Sequence, residues 1–157
     1  MRTEEEYDEF EKRMKDKYPE MFSRPYGGFC VDKGWWPILE SLCGQIDSYT
    51  KWKNNTAEAR LKDSQNTLAI PAKVPQVVVA QIKEKFGGLR FYYEGGDDYI
   101  RGMVQMAEVW ADHSCEECGA PGKSRKGSWI KTLCNQHDAE RRSKMKEPLN
   151  HENWIEP

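Results

Sequence analysis

Long apolar runs are missing from this chain of 157 residues. None approaches the roughly 18 consecutive apolar residues that a membrane-crossing helix needs. The amino-terminal MRTEEEYDEFEKRMKDKYPE is charged where a secretory leader carries an apolar stretch, so no membrane partner is expected and the expected location is the cytoplasm. A disulfide framework is lacking too. The five cysteines are an odd number, and three of them stand with a histidine in metal-ligand spacing, which suits a reducing compartment and leaves Cys30 and Cys43 as free thiols. There is no Walker-type glycine loop to cradle phosphates, no internal repeat and no low-complexity tract, and no small-molecule substrate is evident. An excess of one charge is absent as well: 24 Lys and Arg against 26 Asp and Glu give a formal net charge of -2, with no global attraction to nucleic acid or an acidic membrane.

What is present is strong apolar periodicity, enough for one domain with a modest core and a compact appendage. Thr3 and Glu6 form a capping-box pattern that starts a helix over about 3–17, with a thin stripe of Tyr7, Phe10 and Met14 and a stop at Pro19. Pro37 suits a first helical position, and Ile38, Leu39, Leu42, Ile46 and Tyr49 follow as one broad apolar face. From Lys53 to Gln76 the chain turns polar and reads as a connection with one short helix. Alternation through Val78, Ala80, Ile82 and Phe86, then Leu89, Phe91 and Tyr93, predicts a hairpin turning at Gly87-Gly88. Asp97 or Asp98 caps a further helix with Ile100, Met103, Val104, Ala107 and Trp110 as its buried stripe. A short charged helix stopped by Pro148 and a tail carrying Trp154 complete the chain.

Cys115 and Cys118 form a Cys-x-x-Cys turn, and Cys134 and His137 form a second pair, close to the spacing of zinc ribbons. Two half-sites at that separation are far more specific than either alone. Four protein ligands close a tetrahedron and leave no place for water or substrate, so the expected Zn²⁺ is single and structural. His113, two residues before Cys115, is an alternative to His137. Gly119, Gly122 and Gly127 supply turns, while Trp129, Ile130 and Leu133 are expected to form a miniature core.

QIKEKFGGLRFYYEGGDDYIRGMVQMAE, CEECGAPG, the upstream GWWPIL and WIKTLC together resemble a family of small uncharacterised zinc-finger-like proteins of bacteria and their phages, over roughly residues 34 to 138. The resemblance implies an assembly of helix, hairpin, helix and zinc knuckle. It transfers no activity, and its last ligand is often cysteine where His137 stands here.

Other signals are weaker. Gly95-Gly96-Asp97-Asp98 lacks the further carboxylate and nucleotide-binding frame of polymerase sites and reads as a helix cap. A Cys30 or Cys43 nucleophile with His151 as its base joins a core or loop residue to a tail, so catalysis is not expected. Lys123, Arg125, Lys126 and Lys131, followed by Arg141, Arg142, Lys144 and Lys146, would suit phosphates with Trp129 stacking on bases, but acidic residues are interleaved. Six tryptophans, Trp35, Trp36, Trp52 and Trp154 among them, exceed what a small core needs and suit a protein interface, and the acidic first helix suits a basic surface. The expected fold is α+β: a helical and hairpin domain over 1–112, a zinc-ribbon-like module over 113–147 and a tail over 148–157. The expected function is a non-enzymatic regulatory protein that binds a protein partner through residues such as Trp35, Trp36, Arg125, Lys126 and Trp154. The resemblance alone extends this to a phage accessory or counter-defence role, in the host cytoplasm. The alternative is a nucleic-acid-binding zinc protein that uses the basic loop.

Overall fold

The structure, a computed structural model, describes residues 3–146. The Pro148 stop, His151 and the tail with Trp154 lie outside the described residues. The fold is α+β, in the order α1 (Glu4–Lys17), β1 (Phe29–Cys30), a 3-10 turn (Lys33–Trp35), α2 (Trp36–Lys62), β2 (Val78–Lys85), β3 (Gly88–Glu94), α3 (Asp98–Asp112), β4 (Lys123–Arg125), β5 (Lys131–Leu133) and α4 (Asn135–Lys146).

The capping box of α1 is formed in both directions: Thr3 Oγ1 accepts from Glu6 N–H, and the Glu6 carboxylate accepts from Thr3 N–H. Only Phe10 and Met14 of this helix are fully buried. Phe10 stacks on Trp36 at 4.5 Å and meets Phe29 edge-on at 4.9 Å, and the half-buried Tyr7 accepts from Phe29 N–H at 2.8 Å, so a thin stripe docks an otherwise charged helix. The glycine- and aromatic-rich stretch that follows contributes a strand, β1, which pairs in parallel with β2 at the edge of a three-stranded sheet ordered β1-β2-β3. Helices α2 and α3 pack on each other, and α3 also packs on β3.

Helix α2 corrects the reading of Lys53 to Gln76 as mostly connection, because it continues unbroken to Lys62. Its second half is polar because it serves backbone groups rather than the core. The Asn54 amide brackets Val74, accepting from its N–H at 2.7 Å and donating to its carbonyl at 3.1 Å, and Arg60 donates to the Ala69 carbonyl at 2.6 Å.

The β2–β3 hairpin is formed, with two departures. The register shifts between Val79 and Gln81, so Ala80 is an extra residue and the inward set becomes Val77, Val79 and Ile82 rather than Val78, Ala80 and Ile82. The turn is Phe86-Gly87, since Lys85 already pairs with Gly88, and both turn residues have positive φ (54° and 78°). Phe86 is therefore on the surface. In α3 the buried stripe is Ile100, Val104, Ala107 and Ala111; Met103 is half-buried and Trp110 is exposed.

Candidate metal centre

The Cys115–Cys118 turn lies just beyond α3 and is tied by short backbone bonds. Gly119 N–H donates to Cys115 O and Cys115 N–H to Ala120 O, both at 2.8 Å, and Gly122 N–H reaches His113 O at 2.9 Å. The β4–β5 hairpin then returns the chain so that Cys134 stands between β5 and α4. His137 falls in the first turn of α4, where its backbone N–H donates to Cys134 Sγ at 3.5 Å. A sulfur thus takes the place of the oxygen that usually receives such orphan donors.

The ligating atoms of Cys115, Cys118, Cys134 and His137 all lie within 4.8 Å of one another. His137 Nδ1 is 3.4 Å from Cys115 Sγ and 3.3 Å from Cys134 Sγ, and Cys118 Sγ is 4.0 Å from Cys134 Sγ. A tetrahedral ion with metal–sulfur bonds near 2.3 Å and metal–nitrogen bonds near 2.0 Å sets its ligands roughly 3.5–3.8 Å apart. The quartet fits one metal ion. All five cysteines are free thiols. On the far side of the imidazole the Glu117 carboxylate lies 3.9 Å from Nε2, beyond hydrogen-bond reach but on the side from which a carboxylate can orient a ligating histidine. His113 stands outside the quartet, as the residue that follows α3.

The environment separates the thiols. The His137 N–H is the first cause that holds the Cys134 thiol down at about 7, whereas burial pushes Cys118 up. Beside them Glu116 is buried with Oε1 lacking a hydrogen-bond partner. Burial raises its pKa to about 7 against the pull of Lys131, with the nearby charges of Glu84 and Asp32 adding to the rise.

The module is joined to the sheet and helices through main-chain groups. Trp35 Nε1 donates to Ser114 O and Gly34 N–H to Glu116 O, both at 2.8 Å, and the Thr132 hydroxyl donates to Gly87 O at 2.7 Å. Spacing alone carried no signal for Gly34, Glu116 or Thr132, which have no metal-ligand role.

The residues expected to meet partners fall into different places. Trp35 is fully buried and Trp36 half-buried, so Trp35 presents no surface. Arg125 is engaged internally: its Nε donates to Leu133 O at 3.1 Å, one terminal nitrogen donates to Asn135 Oδ1 at 2.7 Å and the other pairs with Asp138 at 3.3 Å. Lys126 is exposed, and Trp154 lies outside the described residues. In place of the expected miniature core, only Leu133 is buried, while Trp129 is 63% exposed and Ile130 lies at the surface beside it.

No protein-family model, curated protein or solved structure matches this chain. Among the described residues no helix is long and apolar enough to cross a membrane.

Proposed function

We infer that this chain is a non-enzymatic zinc protein whose metal is structural and whose surface binds and modulates a protein partner. The observation that carries the reading is the Cys115, Cys118, Cys134 and His137 quartet, four ligands converging within 4.8 Å. Three thiolates and an imidazole select zinc over the hard cations magnesium and calcium, and four protein ligands fill its tetrahedron. The metal then holds the loop, and function falls to the surface.

That surface carries large apolar groups that the core does not use. Phe86, Trp52, Trp110 and Trp129 are all more than half exposed. Exposed aromatics of this kind anchor protein interfaces. Nucleic acid is less well served, because Arg125 is consumed inside the module and Lys131 faces Asp32 and Glu116 at 3.7 Å. A phage accessory or counter-defence role is the narrower form of the reading and rests on the family resemblance.

Affinity capture of the tagged full chain from cell lysate, with and without nuclease and with metal content measured on the same sample, tests both halves. The expected result is one zinc per chain and a nuclease-resistant protein in stoichiometric amount. Capture that vanishes with nuclease moves the function to nucleic acid, and a chain that folds without zinc removes the metal reading.

A further inference from the structure

The β2–β3 turn and the β4–β5 loop face each other across a hollow of about 420 Å³, walled by Lys85 and Phe86 on one side and by Gly127, Ser128, Trp129 and Ile130 on the other. The two sides are held in register. Thr132 donates to Gly87 O, and a Cβ on Gly87 would stand 3.1 Å from Ile130 Cγ2, so the turn and the loop are in close contact. The loop belongs to the hairpin that carries Cys134, so the hollow is half built by the metal module.

Phe86 is the unusual part. It occupies the left-handed region (φ 54°), which asparagine, aspartate or glycine fills in such turns, and it is 74% exposed. A residue that breaks the local rule and gains no burial marks a place where function offsets stability. Across from it Trp129 is held out from the module by its backbone, whose carbonyl accepts from Arg141. Two exposed aromatics with Ile130 between them make a socket for a large apolar side chain.

The rim has a sign. Lys85 Nζ lies 5.5 Å from the Phe86 ring centroid, Lys126 is exposed next to Gly127, and Arg141 adjoins Trp129. The one carboxylate in the lining, Glu84, accepts from Gly87 N–H at 2.5 Å and keeps its charge, so the three neighbouring cations outnumber it. These cations are few and local. Arg125 is engaged inside the module, and the neighbouring groove that shares Arg141 and carries Lys131 and Lys144 also carries Glu117 and Glu140, so acids interrupt the strip that a nucleic-acid backbone would follow.

The geometry points to this hollow as the docking site for an acidic segment of a partner protein, with one aromatic or leucine side chain inserted between Phe86 and Trp129. It rests on the protein-binding reading and gives that reading a place and a partner chemistry. Phe86→Asn removes the aromatic wall while suiting the turn better, so this variant separates loss of binding from loss of fold. Trp129→Ala, at an exposed position, removes the opposite wall.

The test is selection of a displayed library of short random peptides on the zinc-loaded full chain, followed by affinity measurement of the winners on both variants after their metal content and circular dichroism are matched to the parent. The expected winners place an aromatic or leucine beside Asp or Glu, weaken as salt rises, and lose about tenfold or more in affinity on either variant. Winners without that pattern, winners that bind both variants as well as the parent, or no winners at all overturn the proposal. Oligothymidine that binds the parent, competes with the winners and is lost with Trp129→Ala overturns it in favour of nucleic acid. Lysate capture with Phe86→Asn then keeps the two levels apart: a partner retained by the variant leaves the protein-binding reading standing and removes the hollow, whereas no partner on the parent removes the reading itself.

Discussion

Gly34 lies against Cys115 so closely that a Cβ added to Gly34 would stand 2.2 Å from the Cys115 carbonyl oxygen and 2.6 Å from that of Glu116. The turn that starts α2 and the first half of the metal site are therefore fitted backbone to backbone, with Gly34 N–H donating to Glu116 O across the contact. Gly34→Ala forces main chain apart at both places. We predict a loss of about 2–4 kcal/mol in unfolding free energy, in the range of strained core substitutions, together with weaker zinc retention against a chelator. Denaturant unfolding and chelator competition measure the two effects, and an unchanged midpoint would refute the close fit.

Cys118→Ser leaves three ligands. The variant should purify with little or no zinc, lose protease resistance first over residues 113–146, and melt at lower temperature, because structural zinc supplies roughly 10–16 kcal/mol of apparent binding free energy in small peptides. Elemental analysis and limited proteolysis check this prediction. One zinc per chain with the parent melting curve would remove Cys118 from the ligand set.

Phe86→Asn is predicted to stabilise. An L residue with a large side chain loses roughly 1–2 kcal/mol in the left-handed region relative to one that tolerates it, and little burial is forfeited at this exposed position. The denaturation midpoint should rise by the equivalent of about 1 kcal/mol with an unchanged slope. A lower midpoint would mean that the Phe86 ring contributes packing to the folded chain.

Glu116 gives the protein a pH dependence of definite sign. Burial raises its pKa in the folded state from the ordinary 4.5 to about 7, so the folded chain binds this proton more tightly than the unfolded chain does. The group leaves the fold unpenalised below about pH 4.5, costs increasing stability as pH climbs from there to about 7, and costs a constant amount above that. Glu116→Gln should therefore stabilise the folded chain above pH 7, by an amount on the order of 1–3 kcal/mol, and the gain should shrink on acidification. Unfolding of both chains at pH 5 and pH 8 decides it; a gain that grows toward low pH would reverse the assignment.

The ligand quartet was legible because metal spacing is a local property: Cys-x-x-Cys and Cys-x-x-His each close one turn, and the structure brings both pairs together as their separation suggested. The α1 cap, the core face of α2 and the existence of the hairpin were legible for the same reason. Parity within β2 was not, since one extra residue at Ala80 reverses the alternation and no composition signals it. The second half of α2 was hidden by its role. Its polar side chains satisfy the backbone of a neighbouring segment, and a sequence pattern read for apolar faces passes over them. Helical spacing places Trp110 on the inward stripe and a miniature loop core places Trp129 inward, and here both remain at the surface.

The pairing of β1 with β2 has a kinetic consequence. Phe29 meets Ile82 in parallel, a separation of 82 − 29 = 53 positions with the whole of α2 between them. The β2–β3 hairpin, joined by a two-residue turn, closes locally and fast, whereas β1 is only two residues long and has its partner strand ready only after that hairpin exists. We expect pulse-labelled hydrogen exchange during refolding to protect the amides of β3 and α2 before that of Phe29, whose N–H donates to the Tyr7 hydroxyl at 2.8 Å and so reports the docking of β1 against α1, and simultaneous protection would contradict that order. The short edge strand, together with the segment that leads from it to Gly34, would then be among the last parts to lock. A chain still folding would thus have helix and hairpin in hand before the surface against which the Cys115 turn settles is complete.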